Sequence, residues 1–295
     1  MHKEDLKKKF QITNLEEFID LFINVIQSSF STENDIEYLI NDAGEYLKKS
    51  NTVYSEIFFA PSKFVSMGFD FGKMIKILEK GTSTIMDRHG IEVKYIIDVS
   101  RSFGFDNAMR NLDLVIANPS KSVIGIGLGG SETKGPARDF QKVFEKAISH
   151  GFHVVAHAGE DVGPESVWDA LNLLKAERIG HGISSINDEK LMKHLEEKQI
   201  PLEICPTSNL FTRKYAKTLE EHPVRKFFDR NMNVTINTDD PTLFSVNLIE
   251  EYMTLYNKKI FTGSEIVKLI KNNIYATFLP DAKKDEIWKE CESKL

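Results

Sequence analysis

Residues 153–163 read HVVAHAGEDVG, an alternating apolar segment that runs directly into a histidine, two small residues and a glutamate. The alternation is typical of a β-strand, which we predict over residues 152–158. His157 and Glu160 then stand at the C-terminal end of this strand. A histidine that can bind metal and an acid at the end of a buried strand indicate a functional site.

The rest of the chain alternates short β-rich runs with longer segments of helical periodicity. Helical segments between strands predict a parallel sheet with right-handed crossovers, in a single domain over residues 1–295. The six other predicted strands cover residues 54–60, 93–99, 122–128, 178–182, 201–205 and 233–238. The predicted helices include residues 71–90, residues 137–151, residues 187–199 with Asn187 or Asp188 as the cap, and a segment near Thr242 to Tyr256.

The positions of the polar residues distinguish a closed barrel from an open doubly wound sheet. Five successive strands are each followed by glycine or polar residues, at Gly129–Gly130, His157–Glu160, His181, Pro206–Asn209 and Asp239–Asp240. An open sheet concentrates its site at one switch point, whereas a barrel brings the C-terminal ends of all its strands to one rim. We therefore predict an α/β fold, a TIM-like (β/α)8 barrel.

This barrel is expected to be incomplete. Only seven strands are predicted, and the sequence begins with the helical segments 14–30 and 32–50, so the first strand of the barrel is missing. Residues 54–60 and 233–238 would flank the resulting gap. We expect both strands to expose apolar side chains and unpaired edges there.

Composition and charge narrow the possible partners. The 295 residues are 41% hydrophobic, which allows one large core, and the net charge of −6 argues against a nucleic-acid partner. The run Lys7–Lys9 is interpreted as a solvated helix face. No apolar run reaches the roughly 20 residues of a membrane span and no signal-peptide core follows the N-terminus, which predicts a cytoplasmic protein without a membrane partner. Cys205 and Cys291 do not form a thiolate zinc motif, so a metal would depend on histidine and carboxylate ligands.

Each polar residue of the rim also has a structural interpretation. His157 could be a hydrogen-bonded histidine at a strand end, and Glu160 could interact with the dipole of the following helix. His181 lies in IGHG, which could form a tight turn, and Asp239 and Asp240 could cap a helix. Their combination at one rim predicts a zinc site instead, because neutral imidazole and carboxylate oxygen suit Zn²⁺ and leave a position open for water.

Four motifs and one glycine-rich segment resemble a known family. They are HAGE (157–160), RIGHG (178–182), CPTSN (205–209), NTDDP (237–241) and VIGIGLGGSE (123–132). In this order and at these intervals they resemble the adenosine deaminase family of metal-dependent hydrolases. The resemblance implies a barrel that binds one Zn²⁺ and hydrolyses the 6-amino group of a purine, such as adenosine or adenine, to release ammonia. It also implies that His157 and Asp239 are metal ligands.

The same resemblance implies roles for the other residues of the rim. Glu160 would donate a proton to purine N1, and His181 would orient and deprotonate the water held by the metal. Asp240 would share that water and hold purine N7, and the backbone N–H of Gly130 would contact N3. Attack at C6 destroys the aromaticity of the ring, so the reaction needs both an activated water and an acid at the ring nitrogen.

Two further expectations concern the chemistry of the rim. Burial beside an apolar ring should raise the pKa of Glu160, as a proton donor requires. Gly129 and Gly130 would let the backbone approach the purine where a side chain would collide. No chemistry is assigned to the segment CPTSN, in which Pro206–Asn209 are interpreted as a rim loop and Cys205 as core packing.

One feature of the family is absent from the sequence. Its members carry a His-x-His pair at the end of the first barrel strand, which supplies two more metal ligands, and the 295 residues contain no such pair. His2 is interpreted as part of a disordered terminus. The chain is therefore expected to be an N-terminally truncated member with weak zinc binding and little turnover. The alternatives are a non-catalytic remnant that binds a purine or a protein partner, and another type of amidohydrolase.

Overall fold

The computed structural model describes residues 14–294, in which a parallel sheet of seven strands alternates with helices. The strands are β1 (Tyr54–Phe59), β2 (Glu92–Asp98), β3 (Val123–Leu128), β4 (His153–Ala158), β5 (Arg178–His181), β6 (Leu202–Ile204) and β7 (Val234–Ile236). All seven predicted strands form, and their ends differ from the predicted ends by no more than two residues. His2 and the run Lys7–Lys9 lie outside the described residues, so their interpretation stays a prediction.

Fourteen α-helices lie within residues 14–294, and most of them connect consecutive strands. They are α1 (Leu15–Leu21), α2 (Asn34–Lys49), α3 (Ser62–Ser66), α4 (Phe71–His89), α5 (Gly104–Ala117), α6 (Gln141–Ser149), α7 (Pro164–Asn172), α8 (Glu189–Lys198), α9 (Pro206–Thr212), α10 (Val224–Asp229), α11 (Pro241–Phe244), α12 (Leu248–Asn257), α13 (Gly263–Ala276) and α14 (Asp281–Glu292). In this described part of the chain, no helix has the length and apolar character that a membrane crossing requires.

Local signals explain where the helices begin and end. Asp70 accepts a hydrogen bond from the backbone N–H of Lys73 at 2.8 Å at the start of α4, and Gly90 ends this helix in the left-handed conformation, with φ of 69°. The N-cap of α8 is Asp188, which is one of the two caps predicted for this helix; the other, Asn187, does not cap it. The predicted helices over 71–90 and 187–199 are therefore confirmed.

The prediction of one continuous helix near Thr242 to Tyr256 is wrong, because the chain forms two helices there. The chain forms the short helix α11, turns at Ser245 with φ of 52°, and begins α12 after Asn247. Asn247 and Glu250 form a capping box, which satisfies the first N–H groups of α12 and so starts a new helix at this point. The helix predicted over 137–151 is likewise divided, because a 3₁₀ turn (Ala137–Phe140) precedes α6.

The sheet is strongly curled, as a TIM-like barrel requires. Strands follow one another in the order β1 to β7, so Glu56 in β1 and Arg178 in β5 are four strands apart. A flat sheet would separate such residues by about 19 Å, at about 4.8 Å per strand. Arg178 Nη1 nevertheless lies 2.5 Å from Glu56 Oε2, and Arg178 Nε lies 2.8 Å from Glu203 Oε1 in β6. These contacts confirm the predicted barrel-like curvature.

The predicted exposure of the two edge strands is wrong. Strands β1 and β7 are the edges of the sheet, yet residues 54–60 and 233–238 are all buried or half-buried. The helix α13 covers β7, and Asn273 acts there as a substitute for a neighbouring strand: its side chain accepts from the N–H of Ile236 at 2.9 Å and donates to the carbonyl of Ile236 at 2.6 Å. Asn272 donates to the carbonyl of Val234 at 2.9 Å. Polar side chains of one helix thereby satisfy the edge.

The chain that follows α13 covers part of β1. The backbone N–H of Phe278 donates to Glu56 Oε1 at 2.7 Å, and the guanidinium of Arg178 lies 4.0 Å from the centre of the Phe278 ring. Arg178 Nη1 also donates to the carbonyl of Ala276 at 3.0 Å. These contacts connect the C-terminal helices to the end of the sheet opposite the rim.

Candidate active site

The predicted site residues lie at the C-terminal ends of their strands. His157 is the next-to-last residue of β4, and Glu160 follows two residues after that strand ends. His181 is the last residue of β5, and Asp239 follows β7. His181 and Asp239 both have left-handed backbones, with φ of 59° and 56°. This conformation costs about 1–3 kcal/mol for a residue other than glycine, and the surrounding packing must impose it.

Three potential metal ligands converge at this rim. Their ligand atoms, from His157, His181 and Asp239, all lie within 4.8 Å of one another. The rings of His157 and His181 have their centres 5.1 Å apart, and His181 Nε2 lies 3.8 Å from Asp239 Oδ2. The structure therefore brings together residues that are separated by up to 82 positions in the sequence, since 239 − 157 = 82.

Glu160 lies in the same cluster and has the properties of an acid. Its side chain is buried, with Oε2 at 3.3 Å from His181 Nε2, while the buried Oε1 has no hydrogen-bond partner among residues 14–294. Burial raises the pKa of Glu160 to about 7; the nearby Asp239 carboxylate acts in the same direction and His181 opposes it. A carboxyl group with this pKa is partly protonated at neutral pH, so it can donate a proton.

His157 has the properties of a metal ligand. Burial, together with the nearby His181, lowers the pKa of His157 to about 4, so the imidazole is neutral at physiological pH. Its Nδ1 is buried and has no hydrogen-bond partner within the described residues. The edge of the Phe58 ring packs against it, with ring centres 5.2 Å apart. A neutral imidazole with an unpartnered nitrogen, next to the Asp239 carboxylate, fits Zn²⁺ in its donor chemistry.

Asp240 follows Asp239 in the chain, and Gly130 lies in the loop after β3. Asp240 makes no capping hydrogen bond to α11, so its structural interpretation as a helix cap is not supported. Burial and the carboxylates of Asp239 and Glu160 raise the pKa of Asp240 well above its usual range. Gly130 has φ of 97°, and a Cβ at this position would lie 2.5 Å from Ser102 Oγ. The protein's own packing therefore requires glycine at position 130.

Two residues of the segment CPTSN, to which no chemistry was assigned from the sequence, contact the site residues. Residues 206–212 form the helix α9 with Pro206 in its first turn, not a rim loop. Ser208 Oγ donates to Asp239 Oδ2 at 2.7 Å, and Asn209 Nδ2 lies 2.9 Å from His181 Nδ1. Both side chains are buried and contact the cluster directly. Cys205 is buried, which agrees with its interpretation as a core residue. The position of this segment after β6, at the same rim, could have indicated that its side chains contribute to the site.

Glu132, two residues after Gly130, is a further residue to which no role was assigned from the sequence. Glu132 is 3% exposed, and its carboxylate accepts hydrogen bonds from four consecutive backbone N–H groups, those of residues 159–162, at 2.8–3.4 Å. Ser166 Oγ donates to it at 2.7 Å. Although burial acts in the opposite direction, the charge of Arg101 and these donors lower the pKa of Glu132, so it is ionised. Glu132 therefore fixes the loop that carries Glu160.

Arg101 connects the same loops from the other side. It is a buried residue that follows β2, and its Nη2 donates to the carbonyl of His157 at 2.5 Å. Its Nη1 donates to the carbonyl of Gly135 at 3.1 Å. A buried guanidinium needs such acceptors, because an unpaired charge is costly away from water. The loops after β2, β3 and β4 thus form one hydrogen-bonded unit.

The helix α1 covers this rim. Glu16 accepts hydrogen bonds from the Ser131 hydroxyl and, at 2.5 Å, from Lys134 Nζ, both in the loop after β3. Phe18 stacks on Phe244, the last residue of α11, with ring centres 5.3 Å apart. The helix therefore spans the loops that follow β3 and β7.

The sequence matches known proteins over nearly its whole length. The family model described as adenosine deaminase covers residues 2–294. The chain belongs to the adenosine deaminase family. It is 35% identical to the aminodeoxyfutalosine deaminase of Streptomyces avermitilis, over 98% of this chain and 81% of that protein. It is 33% identical to the adenine deaminase of Crocosphaera subtropica, over 97% of this chain and 86% of that protein.

A solved structure supports the same assignment. The crystal structure of the adenine deaminase from Arthrobacter aurescens superposes with a TM-score of 0.94 and 28% sequence identity, over 98% of this chain and 88% of that chain. The TIM-like architecture and the family resemblance predicted from the motifs are therefore confirmed. The protein is a member of an enzyme family whose named relatives are deaminases.

Proposed function

We propose that this protein removes the 6-amino group of a purine by hydrolysis, releases ammonia, and uses Zn²⁺ as its cofactor. The observation that carries the proposal is the position of Glu160, a buried acid with a pKa of about 7, beside the potential metal ligands His157 and Asp239. Family membership supports the reaction class. The named relatives act on different substrates, aminodeoxyfutalosine and adenine, so the proposal extends only to 6-aminopurines as a class.

His157 and Asp239 would hold the metal. His157 offers a neutral imidazole whose Nδ1 is unpartnered, and Ser208 orients the Asp239 carboxylate through its 2.7 Å hydrogen bond. A bound Zn²⁺ would lower the pKa of a water molecule to about 7 and so supply a nucleophile at neutral pH. His181 would orient the attacking water from its position 3.3 Å from Glu160.

Glu160 would protonate the purine ring. Attack at C6 places negative charge on N1, and a proton donor there removes the charge as it develops. General acid catalysis is most effective when the pKa of the acid lies near the operating pH, and the pKa of Glu160 is about 7. Its Oε1 has no partner in the described part of the chain, which would leave one oxygen available for the ring nitrogen.

Asp240 and Gly130 would position the ring. The raised pKa of Asp240 favours its protonated form, which can donate a hydrogen bond to an acceptor such as purine N7. The backbone N–H of Gly130, in the loop after β3, would donate to N3. These two contacts would fix the ring from two sides and so aim C6 toward the attacking water.

We further infer that the 295-residue chain binds zinc weakly and turns over slowly. A catalytic zinc site normally has three protein ligands and an open position, and the chain offers His157 and Asp239, with His181 nearby. The resemblance implies two more imidazole ligands from a His-x-His pair, which the sequence does not contain. Loss of two ligands should reduce affinity by far more than the roughly 10–100-fold effect of disturbing a second-sphere partner.

Metal analysis and an ammonia-release assay test both inferences. The 295-residue chain should contain less than one equivalent of zinc and release little ammonia from adenine, adenosine or larger 6-aminopurine nucleosides. One equivalent of tightly held zinc with rapid turnover would contradict the inferred impairment.

A chain supplemented with a strand that carries His-x-His should regain metal and activity. In this supplemented protein Glu160→Gln should abolish turnover while zinc remains bound, because the amide cannot donate the catalytic proton. A supplemented protein that binds zinc and a purine but releases no ammonia would instead indicate a non-catalytic binding protein.

A further inference from the structure

The two ring nitrogens of His181 face different surroundings. Nε2 faces the site, 3.3 Å from Glu160 Oε2 and 3.8 Å from Asp239 Oδ2, whereas Nδ1 faces Asn209 in α9. Although burial opposes the shift, the carboxylates of Glu160 and Asp239 raise the pKa of His181 and so favour the charged ring, which carries hydrogen on both nitrogens. The neutral ring carries hydrogen on only one nitrogen. Which nitrogen carries it decides whether the side facing the site can accept a proton or can only donate one.

A backbone N–H group determines which ring nitrogen of His222 carries hydrogen. The N–H of Val224 is necessarily a donor, and it points to His222 Nδ1 at 3.1 Å. His222 Nδ1 is therefore an acceptor without hydrogen, and in the neutral ring the hydrogen lies on Nε2. Burial lowers the pKa of His222 to about 3, in agreement with a neutral ring.

The orientation of Asn209 follows from His222. His222 Nε2 lies 3.2 Å from Asn209 Oδ1, so its hydrogen is donated to that oxygen. The opposite orientation of the amide would place an NH₂ group against the Nε2–H, with two donors facing each other. Asn209 must therefore present its NH₂ group, Nδ2, to His181 Nδ1 at 2.9 Å.

The orientation of Asn209 determines the tautomer of His181. Asn209 donates to His181 Nδ1, so this nitrogen has no hydrogen, and the hydrogen of His181 lies on Nε2. We propose that Asn209 and His222 are positioning residues that hold His181 in the tautomer with hydrogen on Nε2. All three side chains are at most 3% exposed, so water does not compete for these hydrogen bonds.

This tautomer changes the role of His181. Nε2 with a hydrogen has no lone pair, so it can neither bind the metal nor accept the proton of the attacking water. It can donate a hydrogen bond to the water or to Glu160, which orients them. The proton that leaves the water oxygen must then pass to a carboxylate oxygen of the site. This consequence rests on the proposed deaminase function, whereas the tautomer itself does not.

The tautomers can be measured by ¹⁵N NMR of the ring nitrogens in the purified 295-residue chain with labelled histidine. The signals of the two rings among the eight histidines are assigned with His181→Gln and His222→Gln. We expect the protonated type of signal for Nε2 and the unprotonated type for Nδ1 in both rings. Hydrogen on Nδ1 of either ring would overturn the proposal. The result does not require turnover. These tautomers in a supplemented protein that binds zinc and a purine but releases no ammonia would contradict only the proposed function.

Asn209→Asp tests the relay directly. A carboxylate at this position offers only acceptors, so Nδ1 of His181 should gain hydrogen and its signal should shift to the protonated type. Asn118→Asp is the matched control, because Asn118 ends α5 at the opposite end of the barrel and donates to the carbonyl of Leu114. An unchanged His181 Nδ1 in Asn209→Asp, or the same shift in Asn118→Asp, would overturn the proposal.

Discussion

The Glu132 carboxylate accepts a hydrogen bond from the backbone N–H of Glu160 at 2.9 Å, so one acidic residue fixes the position of another. The same carboxylate holds the N–H groups of Gly159 and Asp161, each at 2.8 Å. Glu132 follows β3 and Glu160 follows β4. The loop of the proposed acid is therefore held by a neighbouring loop through hydrogen bonds to an ionised acceptor, which are the stronger kind.

Replacing Glu132 with glutamine should loosen this loop. The amide has only one oxygen, and its NH₂ group would face backbone donors, so the free energy of unfolding should fall by about 2–4 kcal/mol. Urea denaturation measures this loss, and hydrogen exchange should accelerate at the amides of residues 159–162. Ser166→Ala removes only one of the bonds to Glu132 and should cost about 1 kcal/mol. Equal stability of the two variants would contradict the assigned role of Glu132.

Ser208→Ala should weaken metal binding. The Ser208 hydroxyl donates to the Asp239 carboxylate at 2.7 Å, and loss of a partner of this kind typically lowers metal affinity by about 10–100-fold. Competition with a coloured chelator measures zinc affinity without an activity assay. Thr212→Ala is the control, because Thr212 lies on the same helix and its hydroxyl donates to the carbonyl of Asn209 and not to a carboxylate of the site. The prediction fails when both variants bind zinc as tightly as the unmodified chain.

Asn273→Ala should destabilise the sheet edge. The substitution leaves the N–H and the carbonyl of Ile236 without the partners that Asn273 supplies, at a cost of about 2–3 kcal/mol. The freed edge should also promote association between molecules, which light scattering detects. Asn272→Ala removes a single bond, to the carbonyl of Val234, and should cost about 1 kcal/mol. A monomeric Asn273→Ala protein of unchanged stability would show that the edge is protected in another way.

Glu251 should make stability depend on pH. Burial raises its pKa from 4.5 to about 7, so between these values the folded protein binds more protons than the unfolded chain. The free energy of unfolding therefore falls as pH rises through this window, by up to about 3 kcal/mol from this one group. Glu251→Gln cannot ionise, so it should become more stable relative to the unmodified chain as pH increases from 4.5 to 8.

The Glu251 prediction is checked by urea denaturation at several pH values. Glu197→Gln, an exposed substitution on α8, controls for the loss of a surface carboxylate. A difference in stability between Glu251→Gln and the unmodified chain that stays constant with pH would contradict the prediction.

The sequence by itself determined the order of strands and helices and the placement of the principal site residues. Apolar alternation and helical periodicity are local properties, so they can be read along the chain. Parallel strands necessarily bring their C-terminal ends to one edge, and His157, His181 and Asp239 could therefore be assigned to one rim before any distance was known. Element ends were less predictable, because capping at Asn247 depends on specific hydrogen bonds and not on periodicity.

Only the tertiary structure decided which polar groups act on one another. Glu132 and Glu160 are 28 residues apart, Ser208 and Asp239 are 31 apart, and nothing in the local pattern of either segment specifies its partner. The same holds for Asn273, whose amide replaces a strand at the β7 edge, contrary to the exposure predicted from the sequence. A hydrogen bond needs atoms within about 3 Å, and a shifted pKa needs a group removed from water. Both conditions arise only when loops from different strands pack together, and sequence periodicity does not contain that information.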